Sequence, residues 1–127
     1  MSRVLGLGGV FFKCDDPLKL GAWYREWLGI PVDQYGAVLK HDNLPAAAYS
    51  VWSPFPRSTK YLEPSRKDFM FNFIVDDVQG VLGRASEGGA EILPGIEESE
   101  YGTFGRVIDP EGNKVELWMP PAVSPST

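Results

Sequence analysis

The chain of 127 residues is 43% hydrophobic, 23% charged and 13% aromatic, and 12 basic against 17 acidic side chains give a formal net charge of -5. This is the make-up of one soluble globular domain, long enough to bury roughly two-thirds of its unfolded surface without disulfides or a structural metal. A single cysteine, Cys14, excludes an internal disulfide and a thiolate cluster, and a single histidine, His41, excludes chemistry needing two imidazoles unless another chain supplies the second.

The lone thiol points to a reducing compartment. No apolar run nears the ~18 residues that span a bilayer, and the start MSRVLGLGGVFFKCDD lacks the pattern of a signal peptide. The only basic cluster is Arg66-Lys67, too little to neutralise a phosphate backbone. The expectation is a cytoplasmic protein with neither a membrane nor a nucleic acid as partner.

In chain order, Val4 to Asp16 reads as a strand, with Val10, Phe12 and Cys14 alternating against Gly9, Phe11 and Lys13. Asp16 is placed to cap a helix that Pro17 opens, and Leu20, Trp23, Tyr24, Trp27 and Leu28 form its apolar stripe up to Gly29. Tyr35 to Lys40 and Ala46 to Trp52 read as strands around a turn at His41-Asp42-Asn43, which leaves His41 exposed and without a role. Residues 53–67, rich in proline and poor in periodic hydrophobicity, form the best linker.

The same order then begins again. Phe69 to Val75 alternates as a strand, Asp76 or Asp77 caps a helix carrying Val78, Val81, Leu82 and Ala85, and Gly88-Gly89 stops it. Short strands follow at Ala90 to Leu93, Gly105 to Ile108 and Lys114 to Met119, the last two joined by Asp109-Pro110-Glu111-Gly112-Asn113. Glu97, Glu98 and Glu100 read as a solvated acidic loop, and residues 121–127 as a flexible tail. Phe12-Lys13-Cys14-Asp15-Asp16 matches Phe73-Ile74-Val75-Asp76-Asp77, and Ser50-Val51-Trp52-Ser53-Pro54 matches Glu116-Leu117-Trp118-Met119-Pro120. Each half alone has too little to cover a sheet face, so the expected product is one α+β domain. Its two βαβββ modules, 5–52 and 68–120, would place a curved mixed sheet around a central cleft, with helices outside.

With this duplicated unit, the helix entry Cys14-Asp15-Asp16-Pro17 and the run from Tyr101-Gly102-Thr103-Phe104-Gly105-Arg106 through Glu116-Leu117-Trp118, the chain resembles the vicinal oxygen chelate superfamily. That group holds glyoxalase I, bleomycin-resistance proteins and extradiol dioxygenases. The resemblance implies the fold more firmly than a reaction, because one fold hosts many chemistries. It implies a divalent metal held from four strand positions, which here carry Gly9, Ser50, Met70 and Glu116. One carboxylate, a hydroxyl and a thioether are a poor donor set, so a metal is disfavoured and no metal ligand is assigned. It also implies pairing of two copies as a homodimer.

Period-two geometry then reads the cleft without a metal. If those four residues face it, Phe11, Trp52, Asn72 and Trp118 do too, while Val10, Phe12, Val51, Phe71, Phe73, Val115 and Leu117 point to the helices. Aromatic walls with a few polar groups suit a small organic ligand, although the same aromatics could simply fill the concave side of the sheet. Candidate ligand-binding residues are Phe11, Ser50, Trp52, Asn72, Tyr101, Phe104, Arg106 and Trp118. Glu116 is the candidate catalytic base, or an acceptor for a ligand, or half of a structural ion pair with Lys114 or Arg106. The functional expectation is a protein that binds a small apolar or aromatic molecule without the family metal. The alternative is a lyase, isomerase or dioxygenase using Glu116 as base or remaining metal ligand.

Overall fold

The computed structural model describes residues 2–121; of the tail expected at 121–127, all but Pro121 lies outside them. Its element order is α1 (Pro17–Trp23), continued by a π-helical turn (Tyr24–Leu28), β1 (Val32–Asp33), β2 (Gly36–Ala37) and a 3-10 turn (His41–Asn43). After a long irregular stretch come β3 (Phe71–Ile74), α2 (Val78–Glu87), β4 (Glu91–Ile92), β5 (Glu97–Ser99), β6 (Gly102–Ile108) and β7 (Lys114–Met119). The fold is α+β around a mixed five-stranded sheet. β3 runs parallel to β7, and β7 and β6 are antiparallel. β4 and β5 lie end to end along the other edge of β6.

Local chemistry accounts for the helices. The Asp16 carboxylate accepts from the Lys19 amide, Pro17 takes the first turn, and Gly29 ends the helix at a left-handed φ of 75° that most side chains resist. Asp77, rather than Asp76, caps α2 by accepting from the Gly80 amide. α2 lays Val78, Leu82 and Ala85 on the sheet face formed by Phe71, Val107, Val115 and Leu117. Gly105 lets it come close, since a Cβ there would stand 2.9 Å from Val78 and 2.9 Å from Leu82.

The second half thus builds its full βαβββ unit, whereas the first half forms its helix and only the two-residue strands of a hairpin. Of the strands expected there, the segment from Val4 to Asp16 and that from Ala46 to Trp52 have no ladder, and Tyr35 to Lys40 contributes only Gly36–Ala37. Alternation reports which side chains pack, but a strand also needs a neighbour with a free edge. Packing does follow the expected parity at Phe12, whose ring lies 4.7 Å edge-on to Phe71, and at Cys14, which touches the core. Residues 97–99, expected as acidic loop, form the exposed strand β5.

The halves are joined through helix ends. Trp23 Nε1 donates to the Gly88 carbonyl at 2.8 Å, and Arg84 Nη2 donates to the Glu26 carbonyl at 2.6 Å. The Glu111 carboxylate accepts from the Asp15 and Asp16 amides at 2.6 and 3.0 Å, which holds it below its ordinary pKa of 4.5. A depressed carboxylate contributes stability above its unfolded value and loses it as pH falls through the folded one. Glu111→Gln should therefore be less stable than wild type at neutral pH and have a flatter acid side, the difference closing as pH falls below 4.5, as urea melts across pH would report.

Candidate functional site

The inner face of the sheet, away from α2, carries a row of polar side chains. Asn72 on β3, Glu116 on β7 and Arg106 on β6 stand side by side because the register pairs Asn72 with Glu116 and Glu116 with Arg106. One turn of the alternation further on, Trp118 stands beside Phe104 and Ile74.

Glu116 is buried, with both carboxylate oxygens hydrogen-bonded. Its Oε1 accepts from Asn72 Nδ2 at 2.8 Å, and its Oε2 accepts from Arg106 Nε at 2.9 Å and from the Tyr61 hydroxyl at 2.5 Å. Arg106 Nη2 donates to Tyr61 Oη at 2.9 Å and reaches Glu97 Oε1 at 3.3 Å. The guanidinium lies 5.5 Å from the Tyr61 ring centre and 5.9 Å from that of Phe104. Lys114, buried at the near end of β7, donates from Nζ to the Tyr61 carbonyl, with the ammonium 4.9 Å from the same ring. Burial and the neighbouring guanidinium push the Lys114 pKa down. Burial and Glu116 push the Tyr61 phenol up, so it stays protonated and donates to the carboxylate.

Tyr61 belongs to the segment read as a linker, which folds back across the inner face. Its turns are held by Thr59, Leu62 and Ser65 backbone bonds, and Phe55 packs on the Tyr61 ring at 5.7 Å. Nothing in the periodicity of residues 53–67 marks Tyr61. The one available signal is an aromatic with a hydroxyl in a proline-rich stretch long enough to return to the sheet.

The other end of the face is aromatic. Phe104 and Trp118 are parallel at 6.1 Å and 4°, Trp118 Nε1 donates to the Tyr101 carbonyl at 2.7 Å, and Tyr49 stands edge-on to Trp118 at 5.2 Å. Tyr49 also lines a cavity of about 640 Å³, together with Pro45, Ala47, Val75, Met119 and Pro120 among others. A second, apolar cavity of about 150 Å³ sits between the end of the first helix and β3, lined by Leu28, Ile30, Leu39 and Phe73.

The structure brings together Asn72, Glu116, Arg106, Phe104 and Trp118, with Tyr101 contributing its backbone carbonyl while its side chain is exposed. It does not bring in Phe11, Ser50 or Trp52, which stand exposed; Phe11 is 97% and Trp52 80% accessible. The reason is the missing ladders of the first half: parity orients a side chain only relative to a sheet, and these segments join none within the chain. Of the three readings left open for Glu116, the ion pair with Arg106 is formed, at 2.9 Å. At the four family positions Glu116 is the sole carboxylate, and both its oxygens already accept from its own chain. Gly9, Ser50 and Met70 add no nitrogen, thiolate or second carboxylate. That donor set does not fit a metal of the family type.

Among the described residues no helix is long and apolar enough to cross a membrane. No curated protein matches the chain. Among solved structures, the chain is similar to TnmS3, an antibiotic binding protein from Streptomyces sp. CB03234, with 21% identity over 84% of this chain and 88% of that one and a TM-score of 0.51. It is also similar to TioX from Micromonospora sp. ML1, with 17% identity over 86% of this chain and 91% of that one and a TM-score of 0.48. The first of these likenesses bears on the fold. The model of the glyoxalase-like domain matches residues 9–118. With that match spanning most of the sequence and a second βαβββ unit built as its residues dictate, the chain belongs to the glyoxalase-like domain family of the vicinal oxygen chelate superfamily.

Proposed function

We propose that the protein binds a small apolar or aromatic molecule on the inner face of the sheet, beside Trp118, without the family metal, and that it does so as a homodimer. The observation that carries the reading is the aromatic wall of Phe104, Trp118 and Tyr49 next to a cavity of about 640 Å³. A cavity of that size with a largely apolar lining is what a drug-sized ligand needs, and Tyr49, which packs on Trp118, is part of that lining. That an antibiotic binding protein shares the fold supports the same direction. The enzymatic alternative would leave Glu116 only the second lone pair of Oε1 for a proton, since Oε2 already accepts from Tyr61 and Arg106 and Oε1 from Asn72.

The homodimer rests on surface. The chain exposes 9612 Å², against about 6,700 Å² for a compact monomer of 14.1 kDa. Covering even half of that excess on each chain reaches the area that obligate homodimers bury. Val10, Phe11, Val51 and Trp52 are among the exposed apolar residues on the segments that lack a ladder, and among the described residues the outer edge of β3 has no strand beside it.

Three measurements test the proposal. Tryptophan fluorescence across an aromatic library should show saturable quenching or a shift, and Trp118→Ala should weaken the best compound at least tenfold. Sedimentation equilibrium should give twice 14.1 kDa. A flat fluorescence response across the library would overturn the binding reading, a monomer would overturn the homodimer, and stoichiometric metal in protein purified without chelator would overturn the metal-free part.

A further inference from the structure

The deep end of the inner face is not empty; the chain fills it with one of its own phenols. The Tyr61 hydroxyl donates to Glu116 and accepts from Arg106, while its ring lies between the Arg106 guanidinium at 5.5 Å and the Lys114 ammonium at 4.9 Å, with Phe55 against it. Lys114 and Glu116 are buried on the sheet face and the Arg106 side chain is only 12% accessible, all held there by the strand register and Glu116 also by Asn72. By contrast Tyr61 itself is 40% exposed and hangs from a loop that contributes no strand. The fixed partners are therefore on the sheet, and the phenol is the movable part.

A buried acceptor and donor arranged around one oxygen discriminate sharply, because a guest that cannot reproduce both bonds leaves charged groups unpaired. The flanking cations add attraction for an electron-rich ring. Lys114 strengthens the argument: apart from the Tyr61 carbonyl it has no hydrogen-bond acceptor among the described residues, so its ammonium is left to face the ring that occupies the site.

Resting on the binding function proposed above, we propose that Tyr61 holds the place of a hydroxyaryl ligand. The protein takes a compound with a phenolic hydroxyl, whose oxygen accepts from Arg106 and donates to Glu116 when Tyr61 swings out, while the rest of the molecule extends along Phe104 and Trp118. Such a ligand competes with an internal group, so its apparent affinity is set by how firmly Tyr61 is held.

The test is calorimetric titration of the intact protein with beta-naphthol, its methyl ether and naphthalene. Beta-naphthol should bind at least tenfold more tightly than the ether, which keeps the ring and the acceptor but cannot donate to Glu116. Tyr61→Phe, which retains the ring in the loop but gives up both hydroxyl bonds, should tighten beta-naphthol about tenfold. Tyr61→Ala should tighten it further and also admit para-cresol in preference to toluene. Equal affinity for beta-naphthol and its ether, or a Tyr61→Phe affinity unchanged from wild type, would overturn the inference while leaving aromatic binding intact. Failure of all three naphthalenes to bind either wild type or Tyr61→Phe would overturn both.

Discussion

Asp109→Ala is expected to cost about 3–5 kcal/mol of folding stability, measured as the loss of extrapolated free energy in urea melts. Few single side chains here do as much. The buried carboxylate accepts four hydrogen bonds: from the Glu111 and Asn113 amides on Oδ1, at 2.8 and 2.9 Å, and from Asn113 Nδ2 and the Tyr24 hydroxyl on Oδ2, at 2.7 and 2.6 Å. Three of these shape the connection between β6 and β7, and the fourth ties it to the helix of the first half. Alanine strands the Tyr24 hydroxyl, which is buried and whose pKa is pushed far up by desolvation and the facing carboxylate. Tyr24→Phe removes only that bond and should cost about 1–2 kcal/mol. Asp109→Asn keeps one acceptor oxygen and should fall between the two. If Asp109→Ala and Tyr24→Phe cost the same, the hairpin bonds contribute nothing and the tie to the first half is the whole effect.

That result bears on what the sequence reveals. The run Asp109-Pro110-Glu111-Gly112-Asn113 lies within the segment from Tyr101 to Trp118 on which the resemblance to the superfamily rests, yet its polar groups are spent on structure. Asp109 and Asn113 close the hairpin and Glu111 seats the entry to the first helix. Likeness there speaks for fold, as expected of a segment whose hydrogen bonds are local and whose residue types are dictated by a turn.

Local rules also made the second half readable. Alternation from Lys114 to Met119 puts Val115 and Leu117 under α2 and leaves Glu116 and Trp118 on the other face; Asn72 and Arg106 follow by register. The helix starts at Asp16 and Asp77 are side-chain acceptors one turn from the amides they cap. Tyr61 escapes this reasoning because its role depends on where an aperiodic loop returns to the sheet, a tertiary fact with no spacing to betray it. Glu97 escapes for a related reason: three nearby acidic residues look solvated, and only the pairing of β5 with β6 brings one of them to Arg106. Phe11 and Trp52 mark the opposite limit. Their parity was computable, but the ladder that would give it meaning is not formed within one chain.

The second large effect concerns the charge pair itself. Glu116→Leu is expected to destabilise the protein by about 3–5 kcal/mol, because it leaves the Arg106 guanidinium with only the exposed Glu97 and removes the acceptor for both Asn72 and Tyr61. Arg106→Met alone should cost about 2–4 kcal/mol, since it leaves the carboxylate with neutral donors. The double variant, with both charges gone and similar volume restored, should recover about 1–3 kcal/mol relative to the sum. Strict additivity in this cycle would show that the pair contributes no coupling despite its 2.9 Å contact. A recovered double variant would separate the two demands on this site. It would keep the fold while losing the preference for a phenolic hydroxyl over its methyl ether, because an apolar pair packs the sheet as well as an ionic one but has nothing with which to recognise an oxygen.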